Sequence, residues 1–299
     1  MISRNLLKNQ EKQYLRLIRD IIETGIEERG RNGTTYSKIG CMMKFSLENN
    51  KIPFITTKRL AWKSCLKELL WFIRGDTDNS LLQKENVKIW NGNSTREFLD
   101  SRGLNHLNEN DLGPVYGHQW RFWNAKYDNS NTNYKGKGID QLQEIIDGLK
   151  LSKETGEISR RLIMSAWNPE QLNEMALPPC HVLSHYHITE GNKLSCTLYQ
   201  RSADMGLGVP FNIASYGFLT HLLAKHCDLE AKEFTHFIGN AHIYDDHIDV
   251  LQEQIIRTPY EPPDLEIINV RENIEDYTFE DFKINNYNHH NEIRMRMRA

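Results

Sequence analysis

Residues 176–227 read ALPPCHVLSHYHITEGNKLSCTLYQRSADMGLGVPFNIASYGFLTHLLAKHC. Two segments, HVLSHYHI (181–188) and KLSCTLYQRS (193–202), are short, rich in apolar and aromatic residues, and divided by Gly and Asn, which reads as two strands. The run VPFNIASYGFLTHLLAKHC then opens with Pro210 in a first turn and continues mostly apolar, which reads as a buried helix. Working outward, RRLIMSAW (160–167) and EFTHFIGNA (233–241) read as further strands. Near the start, Leu7, Tyr14, Leu17, Ile18, Ile21 and Ile22 recur at helical spacing, with Gly25 as the stop. LAWKSCLKELLWFIRG is a second helix, apolar on most faces and ended by Gly75; DDHIDVLQEQIIR is another, stopped before Pro259. RGRNGTTYS reads as a loop, residues 79–111 as polar and mixed, and residues 128–138 as a surface loop. No internal repeat and no Gly-, Ser- or Pro-rich linker divides the chain. The expectation is one α+β domain over residues 1–299, a central sheet covered by helices.

Composition narrows the function classes. The 299 residues are 39% hydrophobic, enough for a substantial core, and a net charge of −3 gives no long-range attraction for nucleic acid. No apolar run reaches the ~18 residues of a membrane span. The first residues, MISRNLLKNQEKQYLRLIRD, are charged throughout and lack the apolar centre of a signal peptide. Five scattered cysteines without a CxxC pair point to a reduced, cytoplasmic setting.

Cys180 and its neighbours His181, His185 and His187 pose a choice between a metal site and a nucleophile. In a regular strand the three histidines share one face, while Cys180 and Tyr186 point to the other. Zinc needs ligands converging at about 2.0–2.3 Å, so Cys180 could not join His185 and His187 without breaking the strand, and no second cluster supplies partners. No metal is therefore expected, and His185 and His187 read as polar residues of a sheet face. Cys180 follows Pro178 and Pro179, which stiffen the backbone before it. A thiol needs cationic neighbours to become a thiolate, and His181, Arg160, Arg161 and Arg201 are candidates. Taken alone, such a cysteine is more often structural, because buried cysteine is common.

LYQRSADMGLGVPFNIASY (198–216) adds Arg201 at a strand end, Gly206 and Gly208 where the backbone can bend closely, and Asn212 in a first helical turn. An amide offers a donor and an acceptor side by side, the pattern a pyrimidine edge needs, but helix capping explains Asn212 equally well.

Together with LPPCH (177–181), TTKR (56–59), ELLWF (68–72), DLGPVYGHQWR (111–121), RRLIMSAWNP (160–169) and AHIY (241–244), this stretch resembles the folate-dependent, cysteine-using thymidylate synthases. The likeness runs from about Arg31 to the last residue. It implies reductive methylation of dUMP with 5,10-methylenetetrahydrofolate as co-substrate, in a homodimer formed through the sheet. Cys180 would be the nucleophile. Arg31, Arg201 and Ser202 would grip the phosphate, with Arg160 and Arg161 reaching in from the partner subunit; Arg is the better phosphate fork. Asn212 would hold the uracil edge, and His242 and Tyr244 the sugar 3′-hydroxyl. Glu68, Tyr116 and His181 would move protons, and Asp204 would meet both ligands. Trp90, Asn93 and the terminal carboxylate of Ala299 would complete the folate side. Against the family pattern, the GRNGTTYSKIG loop is one residue short, leaving Arg29 as a rival to Arg31. Asn91 and Asn240 stand where Asp is common, SHYHI replaces a more apolar strand with Gln, and Ala299 replaces Val or Ile. Pyrimidine hydroxymethylases of the same fold are the nearest alternative; those acting on dCMP carry Asp where this chain has Asn212. A role in RNA binding finds no support in a basic tract.

Overall fold

The computed structural model describes residues 10–30 and 32–298. Among these the chain runs α1 (Glu11–Thr24), β1 (Ile26–Gly30), β2 (Gly33–Ser46), α2 (Trp62–Ile73), α3 (Asn79–Lys84), α4 (Arg96–Ser101), α5 (Tyr116–Phe122) and α6 (Gln141–Thr155). It continues through β3 (Ile163–Ser165), β4 (His181–Thr189), β5 (Lys193–Asp204), α7 (Gly208–His226), β6 (Glu230–Tyr244), α8 (Ile248–Ile255), β7 (Asp264–Ile267) and β8 (Phe282–Asn285). Six strands form the central sheet in the order β1-β2-β6-β5-β4-β3. Only β5 and β6 pair in parallel, which the α7 crossover makes possible; the other neighbours are antiparallel. Strands β7 and β8 form a separate antiparallel pair.

Helix α7 is apolar on every side because it is covered on every side. It packs on β5 and β6 and meets α2, whose Cys65, Leu66, Leu69, Leu70, Trp71 and Phe72 are buried. Gly75 follows α2 in the left-handed region (φ +80°), and a Cβ there would stand 2.6 Å from the Phe122 ring, so any side chain would be strained and would have to push that ring aside. Strands β4, β5 and β6 turn Tyr186, Cys196, Leu198, Phe234 and Ile238 inward, with the alternation interrupted where the register shifts near His181 and Leu194. The opposite face of the sheet is open: Met42, Phe237, Tyr199 and Ile163 are exposed on it, in adjoining strands.

Several expectations need correction. The flanks of RGRNGTTYS belong to paired strands rather than to a loop, with Arg29 opposite Thr34 and Gly30 opposite Gly33, because β-branched and aromatic residues follow at once. The polar region 79–111 holds α3 and α4, and α6 was not anticipated. Arg201 sits inside β5, which continues to Asp204. Helix α7 starts at Gly208, so Asn212 lies one turn in and caps nothing. His181 does not share a face with His185 and His187. A register shift between His181 and Leu183 reverses the alternation, and His181 pairs with inward-facing Gln200. Leu7, Arg31 and Ala299 lie outside the described residues.

Candidate active site

Cys180 lies in a bend just before β4, and Arg201 of β5 holds that bend from below. The Arg201 backbone N–H donates to the Cys180 carbonyl at 3.0 Å. Its guanidinium donates to the Pro179 carbonyl at 2.9 Å and to the Pro178 carbonyl at 3.0 Å. The same group lies 5.4 Å from the centre of the Trp167 ring. Three consecutive carbonyls are thus tied to one residue, which fixes the sulfur's position through the backbone. Burial pushes the Cys180 thiol up, and the Arg201 charge pulls it down. The resting group is a thiol with a cation poised to favour its ionised form.

A chain of side-chain bonds orients Asn212. The buried His236 bonds the Gln200 side-chain oxygen Oε1 at 2.8 Å through Nε2. The Gln200 amide nitrogen then donates to the Ser202 carbonyl at 3.0 Å and to Asn212 Oδ1 at 2.9 Å. Oδ1 therefore faces a donor, so Asn212 Nδ2 is the group that donates to His181 Nε2 at 2.6 Å. Burial lowers His181 to about 4 and His236 to about 3, so both rings are neutral near pH 7. Asn212 still has one N–H and one oxygen lone pair unused, side by side, as a pyrimidine edge requires.

On the other side of Cys180 stands Tyr116, at the start of α5. Its oxygen accepts the Cys180 backbone N–H at 2.8 Å and the His181 N–H at 3.4 Å, leaving its own O–H available as a donor. Burial raises the phenol, and the neighbouring Cys180 adds to the rise. Tyr116 packs 4.9 Å from the Phe72 ring, 5.1 Å from His181 and 6.3 Å from Trp90. Trp90 Nε1 donates to Glu68 Oε1 at 2.7 Å. Glu68 is partly exposed as a residue, but its carboxyl end is enclosed. Burial pushes that carboxyl up to about 7, against the opposing pull of the Trp90 N–H. Such a carboxyl can both take and release a proton at neutral pH. Beside them Asn93 is buried with its Nδ2 unpartnered.

An open cleft of about 510 Å³ is lined among others by Arg29, Asn32, Arg201, Ser202, His242 and Tyr244, so Arg201 is common to it and to the cysteine's bend. His242 Nδ1 is 3.1 Å from Asn240 Oδ1, and burial lowers this histidine. Asp204 ends β5 and accepts the Gly206 N–H at 2.8 Å. The chain end runs past it: His247 Nε2 bonds the Arg296 carbonyl at 2.8 Å, and Arg298 pairs with Asp246 at 2.8 Å.

Cys180, Glu68, Tyr116, His181, Arg201, Asn212 and Trp90 are thus joined in one cluster of hydrogen bonds and ring contacts, with Asn93 bonded through its backbone to Trp90; Ser202, His242 and Tyr244 line the cleft, and Asp204 pairs with His242 beside it. Arg160 and Arg161 are not: they are exposed ahead of β3, two strands away from β5. Arg29 faces the cleft, whereas Arg31 and Ala299 lie outside the described residues. Among the described residues no group of three or more His, Cys, Asp or Glu is placed to hold a metal ion, and no helix is long and apolar enough to cross a membrane. Sequence reasoning missed Gln200, His236, Trp167 and Lys58. The last is buried within TTKR and bonds the Gly206 carbonyl, with burial lowering it to about 8. Paired polar residues at inward strand positions, Gln200 and His236, were the available signal.

The family profile of thymidylate synthase matches residues 12–299. The chain is 48% identical over 97% of its length to a bifunctional dihydrofolate reductase-thymidylate synthase of Zea mays, covering 55% of that protein. It is 50% identical over 97% of its length to the protein of the same name from Plasmodium berghei, covering 48% of it. The corresponding figures for Paramecium tetraurelia are 49%, 97% and 62%. The chain therefore spans about half the length of the relatives it matches.

Proposed function

Since the chain belongs to the thymidylate synthase family, we propose that it converts dUMP to dTMP by reductive methylation. The observation that carries this reading is Cys180 tied by Arg201 beside an Asn212 amide whose donor and acceptor are both aimed by Gln200. A thiolate at that position can add to carbon 6 of a pyrimidine, turning carbon 5 into a nucleophile, and the sulfur leaves again at the end. Asn212 reads the uracil edge. Arg201 serves both the thiolate and, with Ser202 on the cleft floor, the phosphate. Arg29 or Arg31 completes that grip. His242 and Tyr244 suit the sugar hydroxyl.

Tyr116, with its O–H unspent, and Glu68, titrating near neutrality, are suited to move the carbon-5 proton and protons at the ring oxygen. Methylenetetrahydrofolate, when bound, supplies the one-carbon unit and the hydride. Its fit here rests on the unpartnered Asn93 Nδ2, the Trp90 wall and the Asp204 carboxylate. Ala299 would close the site over the ligands and exclude water, which otherwise competes for the activated carbon.

The reading includes a homodimer. Met42, Phe237, Tyr199 and Ile163 leave an apolar sheet face that a second copy would cover, and Arg160 and Arg161 at its edge would serve the partner's phosphate. A cytoplasmic setting agrees with five unpaired cysteines. The test is incubation with dUMP and methylenetetrahydrofolate, followed by mass analysis of the nucleotide. A methyl gain with dihydrofolate supports the proposal; a hydroxymethyl product with tetrahydrofolate selects the hydroxymethylase alternative; an unaltered nucleotide rejects both.

A further inference from the structure

His247 is wholly buried and does no work in the chemistry above, yet three parts of the site meet on its ring. Its Nε2 lies 2.8 Å from the Arg296 carbonyl. A carbonyl only accepts, so Nε2 carries a hydrogen, which leaves Nδ1 as the ring's other nitrogen. That nitrogen has no partner and stands 3.9 Å from Asp204 Oδ1. A Cβ added to Gly206 would lie 2.9 Å from this same nitrogen and 2.9 Å from the Met295 sulfur, so the turn after Asp204, the ring and the chain end are in direct contact. The Tyr244 ring packs 5.6 Å away. Asp246 and Arg298 hold the next residues of the chain end to the surface, where the pair is exposed and salt-screened. The His247 bond is made from a fully buried donor to the carbonyl of the exposed Arg296, and a donor buried in that way costs most when its acceptor is lost.

The geometry points to His247 as a positioning residue that latches the chain end: by holding the Arg296 carbonyl it lays residues 295–298 against the Asp204–Gly206 turn and so builds the folate-side wall. This rests on the reading of Asp204 and the chain end as parts of the folate site. The imidazole touches neither substrate. Its effect on turnover runs through where it puts the backbone of the chain end, and the substrate edge held by Asn212 lies outside its reach.

The test compares wild type with His247→Gln, whose amide nitrogen reaches the same carbonyl, and with His247→Phe, which keeps the ring and loses the donor. A chain ending at Met295, which lacks the latched carbonyl, completes the set. Rates, KM for each substrate, and amide hydrogen exchange at residues 295–298 with dUMP and tetrahydrofolate bound are the readouts. Loss of this hydrogen bond makes His247→Phe about tenfold faster in exchange at the chain end and about tenfold lower in kcat/KM for the folate. KM for dUMP stays unchanged, and His247→Gln recovers most of the loss. In the chain ending at Met295, His247→Phe adds little further, because the bond it removes is already gone. Unchanged exchange, a Gln variant as impaired as Phe, or a Phe effect that adds in full to the truncation overturns the latch. If His247→Phe does not fold, His247→Asn, whose amide stops short of the carbonyl, replaces it. A wild-type enzyme that forms no dTMP defeats the functional reading instead, while the exchange measurement still decides the latch.

Discussion

Replacing Trp90 by phenylalanine removes the indole N–H donor from the site and keeps a smaller aromatic ring there. The lost group is the indole N–H that donates to Glu68 Oε1 at 2.7 Å. Glu68 sits at about 7 because burial raises it more than this bond lowers it. A hydrogen bond to a charged acceptor is worth about 1.5–3 kcal/mol, and one pKa unit corresponds to about 1.4 kcal/mol. The bond favours the carboxylate form, so its loss moves the carboxyl upward by about 1–2 units, to about 8–9. Carbon-13 NMR of carboxyl-labelled glutamate, with Glu68→Gln to assign the signal, reads the midpoint directly. Whichever limb of the pH–rate profile belongs to Glu68 moves alkaline with it. The raised value also has a sign in stability. Between the ordinary 4.5 and about 7 the folded chain holds a proton that the unfolded chain releases. This contribution is complete below the lower value and is lost as pH rises through the upper one, by at most about 3 kcal/mol. In Trp90→Phe the loss continues to higher pH. A midpoint that stays near 7, or moves acidic, would refute the view that the indole holds the carboxylate.

Three further outcomes follow from the same geometry. Cys180→Ser abolishes turnover and leaves dUMP affinity within a few-fold by equilibrium binding, because the phosphate and base contacts do not involve sulfur; turnover near the wild-type rate would contradict the nucleophile assignment. Asn212→Asp replaces the donor facing His181 Nε2 by a carboxylate oxygen, so His181 rises from its low value near 4 on NMR titration and preference moves from dUMP towards dCMP; an unmoved histidine or unchanged uracil preference counts against the edge-reading role. Mixing inactive Cys180→Ser with inactive Arg160→Ala/Arg161→Ala restores part of the activity, since a mixed dimer holds one site with both intact; no recovery, with subunit exchange shown independently, rejects the shared site.

Much of the fold was legible because burial leaves a period. The one-sided apolar stripe of α1, the all-round apolar α2 and α7, and the alternation in β4, β5 and β6 all appear in the sequence as they do in space. Strand β2 was hidden because Ile39 and Met42 both face the open side of the sheet and Gly40 interrupts the run at φ +71°. Helix α6 does carry the period, with Leu142, Ile145, Ile146 and Leu149 at i, i+3, i+4 and i+7, but it follows directly on the polar, glycine-containing stretch 128–138 and was passed over with it. His181 was assigned to the wrong face because a one-residue shift in register leaves no mark in composition. The site was legible as motifs, not as geometry. Nothing local reveals that His236 of β6 aims Gln200 of β5, and through it Asn212 of α7, because that chain exists only once β5 and β6 pair in parallel.

The central claim is a temporary bond between the sulfur of Cys180 and carbon 6 of the pyrimidine. 5-Fluoro-dUMP has no removable proton at carbon 5, so with methylenetetrahydrofolate it stalls the reaction after both bonds have formed. Digestion and mass spectrometry of the stalled protein should find nucleotide and folate together on the peptide that contains Cys180, and on no other cysteine peptide. An unmodified Cys180 in a preparation that still makes dTMP would contradict the account.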